Sequence, residues 1–242
     1  MRTALIQGSG GVGSALAQTV IDSRMYDQVI LAARGQWQLQ DVDGVTQSVP
    51  LDLTSDESIG RAAKTVMSWC DRLHLVVTTA GLLTDLSRGI APEKKLSELS
   101  RASFHQVMDL NCIGPFLWLK ALYPVLKHRE PIVIATLSAR VGSIGDNRLG
   151  GWHSYRASKA AQNMLTRNLA LELGRTNPQA VVVGLHPGTV DTELSKPFQK
   201  AVSPDHLFTP TQAANYLWSV IQTLTPAESG AVLDWNHAVV VP

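Results

Sequence analysis

The chain has 242 residues, 45% of them hydrophobic, and a formal net charge of +1. That length fits one α/β domain with a sizeable core, and the near-zero charge argues against nucleic acid or an anionic membrane as partner. Its two cysteines, Cys70 and Cys112, make neither a disulfide framework nor a metal-ligand spacing, so no metal is expected.

The first apolar run begins at Thr3, so no signal or transit peptide is expected. No uninterrupted apolar stretch approaches the ~20 residues of a membrane helix, so a cytoplasmic protein is expected. In chain order the pattern predicts a strand at 3–7, a helix at 12–23, strands at 29–33 and 45–51, and a helix at 56–70. A strand at 73–79, a long helix at 103–127, a strand at 132–137 and a helix at 155–174 follow. The chain closes with a strand at 180–186, a helix at 211–224 and a strand at 231–234. Ile132-Val133-Ile134 and Val181-Val182-Val183 are apolar on both faces, as suits central parallel strands covered on both sides. The alternation predicts a single doubly wound parallel sheet of about seven strands with helices on both faces, one Rossmann-type domain over 1–242. The least regular segments are 82–100 and 193–210. The second sets apolar residues among prolines and reads as a flap over a pocket, or as a loop packed on the core.

Gly8-Ser9-Gly10-Gly11-Val12-Gly13 follows the first strand and opens the first helix. Gly8, Gly10 and Gly13 fit the G-x-G-x-x-G dinucleotide pattern. Glycines there let the backbone approach a pyrophosphate, and the helix N-terminus supplies free N–H groups and partial positive charge. Such turns also arise for backbone reasons alone; the strand before and the helix after favour cofactor binding. The second strand ends Ala32-Ala33-Arg34. An acidic residue here would hold a ribose 2′-hydroxyl, whereas Arg34 favours a 2′-phosphate, so NADP is preferred over NAD. The bland alternative is an exposed arginine. Asp52 could bond an adenine amino group or cap the following helix.

Tyr155 and Lys159 lie four residues apart on one helix and share a face. A lysine cation beside a phenol lowers a pKa otherwise near 10 and makes the phenol usable for proton transfer near neutrality. Upstream, Pro115 has no N–H for the carbonyl of Asn111, so the helix through this segment kinks there and frees that carbonyl.

Together these residues resemble the short-chain dehydrogenase/reductase family over nearly the whole chain. The shared elements are the Gly8–Gly13 turn, Asp52-Leu53, Thr79-Ala80-Gly81, Asn111, Ser138, Tyr155-x-x-x-Lys159, and Pro187-Gly188-Thr189-Val190-Asp191-Thr192. Ser138-Ala139-Arg140-Val141-Gly142-Ser143 and Leu185-His186-Pro187-Gly188 are similar to the C-factor-like and sniffer-like branch. The resemblance implies interconversion of a small-molecule carbonyl and alcohol by hydride transfer with NADP or NAD. Tyr155 would be the general acid or base. Lys159 would hold the nicotinamide ribose and tune the tyrosine, Ser138 would bond the substrate oxygen, and Asn111 would hold a relay water. Pro187, Gly188, Val190 and Thr192 would border the nicotinamide and pyrophosphate. Homodimers or homotetramers through the 103–127 and 155–174 helices are compatible with it.

Three departures stand out. The family's G-x-x-x-G-x-G turn has Gln7 where its first glycine belongs. Its double serine reads Ser138-Ala139, so the substrate hydroxyl comes from Ser138 by a local shift or from Ser143. Its Asn-Asn-Ala-Gly reads Thr78-Thr79-Ala80-Gly81, and hydroxyls replace only some of the amide bonds. These departures keep open a cofactor-binding regulatory or signalling protein with little turnover. Trp152, His153, Leu82 and the 193–210 flap are candidate pocket residues.

Overall fold

A computed structural model describes residues 1–40 and 44–242. Seven strands form one parallel sheet: β1 (Thr3–Gln7), β2 (Gln28–Ala33), β3 (Thr46–Pro50), β4 (Leu75–Thr78), β5 (Ile132–Leu137), β6 (Ala180–His186), and, last in the chain, β9 (Val232–Asp234). Their order across the sheet is β3-β2-β1-β4-β5-β6-β9. The chain therefore winds outward from β1 to one edge, returns to β4, and winds to the other edge.

Strand alternation divides the core in two. Leu5 of β1 and Val182 of β6 face α2 (Asp56–Trp69), α4 (Gly114–Ala121) and α6 (His153–Gly174). Their neighbours Ala4, Ile6, Val181 and Val183 face α1 (Gly11–Asp22) and α7 (Pro210–Thr223). Each fully buried Val or Leu contributes about 1.5–3 kcal/mol of transfer free energy, so both faces must be covered. Edge strand β3 is only partly buried and ends at Pro50, as an edge permits.

The long helix expected at 103–127 is interrupted. α3 (Arg101–Met108) gives way to a π turn, Asp109–Ile113, in which the Gly114 N–H reaches back to the Asp109 carbonyl. α4 and the short α5 (Tyr123–Leu126) follow, each with a proline in its first turn. Pro115 is the cause, since it cannot donate to Asn111 and the ladder lengthens by one residue to accommodate it. The 193–210 segment holds two 3₁₀ turns and β8 (Leu207–Phe208), which pairs with β7 (Thr189–Val190). No described helix is long and apolar enough to cross a membrane.

Candidate active site

A cleft of about 660 Å³ opens at the C-terminal ends of β1, β4, β5 and β6. That is where the strand order reverses between β1 and β4, the crevice in which open α/β sheets hold ligands.

The β1–α1 turn forms one wall. Gly8 has φ of 104°, and a Cβ there would lie 2.4 Å from the Thr79 hydroxyl. A Cβ on Gly13 would lie 1.9 Å from the Gly8 carbonyl, so helix and strand exit touch only because both are glycine. Gly8 thus does the work of the displaced first glycine. Gly10 has nothing within 4 Å of its Cβ position and lines the cleft with Gly11, Val12 and Gly13. The N-terminus of α1 has no side-chain cap and no acidic residue in its first turn. Its leading N–H groups are left for an anion. The residues present therefore fit a dinucleotide pyrophosphate.

Gly8 and Ser9 are not cleft-lining residues, and neither are Arg34, Asp52, Leu53 and Asn111. Ser9 stands by the end of β2, its hydroxyl 3.1 Å from the Cβ position of Gly35, next to the exposed Arg34. Asp52 accepts the backbone N–H and the hydroxyl of Thr54, which hold its carboxyl below the ordinary range, with a smaller contribution from Arg34. Leu53 is buried beneath Gly114, whose Cβ position is 2.4 Å from its carbonyl.

At the next strand ends, the Thr79 hydroxyl donates to the Gln7 carbonyl at 2.8 Å and so ties β4 to β1. The Thr78 hydroxyl is buried without a partner among the described residues. Of the missing pair of amides, one is replaced and one is not. Ala80 and Gly81 line the cleft with Thr79.

Tyr155, Lys159 and Ser138 all line it as well. The Lys159 ammonium is 5.9 Å from the centre of the Tyr155 ring. It donates to the Leu137 carbonyl at 2.7 Å and to Gln162 Oε1 at 2.9 Å. The electrostatics run against the sequence-based expectation. Burial pushes the Tyr155 phenol well above its ordinary value and brings Lys159 down to about 7. Both groups are deep in the fold, and loss of solvent is the dominant cause for each. The Ser138 hydroxyl donates to Asn163 Oδ1 at 2.5 Å, whereas Ser143 turns away toward the carbonyl of Pro242. Ser138, not Ser143, reaches the cleft. The side chain of Asn111 braces the wall: it accepts the Leu82 N–H at 2.6 Å and donates to the Leu82 carbonyl and to Ser158.

Pro187, Gly188, Val190 and Thr192 border the cleft from the far side. Gly188 has φ of 78°, and a Cβ would strike the Phe208 ring at 2.6 Å. The Thr192 methyl lies 3.0 Å from the Gly11 Cβ position, so the segment after β7 touches the β1–α1 turn. Leu194 and Phe198, from the 193–210 segment, also line the cleft. Trp152 and Leu82 also line it; His153 does not. Two residues escaped the sequence reading. His186 lines the cleft with its Nδ1 buried and without a partner among the described residues, and burial lowers it to about 4. Its position before Pro187-Gly188 at a strand end was the available signal. Glu93, buried in the irregular 82–100 segment, gave none.

A family model described as short chain dehydrogenase matches residues 2–203. The 1-hydroxy-2-glutathionyl-2-methyl-3-butene dehydrogenase of Rhodococcus sp. (strain AD45) is 31% identical over 238 residues, 95% of each chain. The NADPH-bound carbonyl reductase from chicken fatty liver superposes with a TM-score of 0.85 at 26% identity, over 100% of this chain and 99% of that one. The carbonyl reductase Sniffer of D. melanogaster also gives 0.85, at 18% identity and over the whole of both chains.

Proposed function

This chain belongs to the short-chain dehydrogenase/reductase family, and we propose that it is an NADP-preferring oxidoreductase interconverting an apolar carbonyl compound and its alcohol. The observation that carries this reading is one cleft holding both an uncapped glycine-rich helix start and the buried Tyr155–Lys159 pair. Two relatives support it by name: one is a dehydrogenase of a hydroxy compound, the other an NADPH-bound carbonyl reductase.

Gly10 to Gly13 would hold the pyrophosphate, and Ser9 with Arg34 the 2′-phosphate of the adenosine ribose. Lys159 would hold the nicotinamide ribose. The bound cofactor supplies or accepts the hydride. Around the reacting carbonyl this chain contributes a proton donor and an apolar wall. Burial keeps the Tyr155 hydroxyl protonated at neutral pH, ready to donate to the carbonyl oxygen in reduction. Lys159, when charged, sits close enough to stabilise the phenolate that donation leaves behind. Ser138, on releasing Asn163, donates to the same oxygen. Leu82, Val141, Trp152, Leu194 and Phe198 pack on the apolar cluster that contains Tyr155 and line the cleft, which suits an apolar substrate.

The test is NADPH oxidation against a panel of aldehydes, ketones and quinones, with NADH in parallel. Tyr155→Phe is expected to lower kcat/KM by about 10²–10⁴ while NADPH still binds. NADPH binding without turnover across the panel would favour the regulatory alternative. A Tyr155→Phe variant as fast as the parent would remove Tyr155 as the proton donor.

A further inference from the structure

Gly150, Gly151 and Trp152 have φ of 63°, 65° and 50°, three successive residues in the left-handed region. Glycine enters it freely; a tryptophan does so only against a steric cost, and something must hold it there. Glu93 does. From the segment between β4 and α3, its carbonyl accepts the Trp152 N–H. Its carboxylate accepts the Ser154 N–H at 3.2 Å and the Ser154 hydroxyl. Gly151 leaves room for this approach, its Cβ position being 3.3 Å from the Glu93 carbonyl. Trp152 is the N-cap residue of α6 and offers no side-chain cap of its own, so a carboxylate distant in sequence caps the helix that carries Tyr155 and Lys159. Glu93 is 5% exposed.

The consequence appears on the other side of Trp152. Its indole stands edge-on to Tyr155, ring centres 6.3 Å apart, and meets the flap residue Phe198 at 5.1 Å. All three rings line the cleft.

We propose that Glu93 is a positioning residue: it fixes Trp152 in a left-handed backbone so that the indole walls the carbonyl end of the cleft, and it thereby selects substrates with a flat apolar ring beside the carbonyl. The selection half rests on the function proposed above. A ring of this kind packs against the wall that Trp152 and Phe198 form together, where an aliphatic chain gains less.

Two measurements test it. The first is ¹⁹F NMR of the full chain labelled with 5-fluorotryptophan. The protein has six tryptophans, and Trp152→Phe identifies the resonance of interest. Glu93→Gln and Glu93→Ala are expected to shift or broaden that resonance and leave the others in place. If Glu93→Ala fails to fold, the isosteric Glu93→Gln and the milder Ser154→Ala keep the result readable. The second compares steady-state kinetics on a phenyl ketone and on a short aliphatic aldehyde with NADPH. Glu93→Gln is expected to raise KM for the ketone about tenfold more than for the aldehyde. An unmoved Trp152 resonance in the Glu93 variants overturns the positioning role; equal KM changes on both substrates overturn the selection. A parent protein that reduces no carbonyl sinks the functional reading and ring selection with it, while the resonance still decides whether Glu93 holds Trp152.

Discussion

Alanine at Gly13 should cost folding stability, whereas alanine at Gly10 should cost cofactor affinity alone. At Gly13 the new methyl would lie 1.9 Å from the Gly8 carbonyl and 2.5 Å from the Thr79 hydroxyl. The first obstacle is backbone at a strand exit and cannot turn aside. Overpacking a core costs about 1–3 kcal/mol, and a collision with main chain belongs at the upper end. For a domain of this size about 3 kcal/mol lowers Tm by roughly 6–12 °C. At Gly10 the methyl meets nothing within 4 Å, and φ of −67° with ψ of 175° suits alanine. Reduced unfolded-state entropy contributes about 0.4–1 kcal/mol and offsets a poorer N-cap, so the melting temperature should hold. Yet Gly10 faces the cleft at the free end of α1, where the pyrophosphate is proposed to lie. A methyl intruding there at about 1–3 kcal/mol weakens NADPH roughly 5- to 150-fold. Thermal melting with and without NADPH, together with a fluorescence titration, reads both effects. A Gly10→Ala protein that binds NADPH as tightly as the parent refutes the placement of the phosphates. An unchanged melt for Gly13→Ala refutes the packing.

Two further outcomes are expected. Arg34→Glu should weaken NADPH by about 10- to 100-fold through a lost charge-assisted bond of about 1.5–3 kcal/mol, with NADH affinity held, in parallel titrations; equal losses for both cofactors would sink the 2′-phosphate assignment. Lys159, lowered by burial to about 7, binds fewer protons folded than unfolded between that value and its ordinary 10.5. Stability should therefore rise with pH across that window, and a urea midpoint series from pH 7 to 10 should flatten in Lys159→Met.

Much of this was legible in the chain. Ile132–Leu137 and Ala180–His186 were readable as central strands because residues covered on both faces must be apolar throughout. Gly8 and Gly13 announced the tight β1–α1 turn, since no other residue permits their approach. Pro115 announced a break in its helix, though not that the break would take the form of a π turn. The choice between Ser138 and Ser143 was open, because both follow the same strand, and Asp146 together with the C-terminal Pro242 holds the Ser143 hydroxyl.

The sequence by itself determined which residues share a face: Tyr155 with Lys159 on α6, the glycines on the β1–α1 turn. Periodicity and backbone freedom are local and need no partner. Only the tertiary structure decided what those groups experience. Lys159 bonds Leu137 and Gln162, Tyr155 loses its solvent, and Glu93 grips the end of α6 from a segment 61 residues earlier than Ser154. Desolvation and capping from afar depend on which elements pack together, and that is a property of the assembled fold.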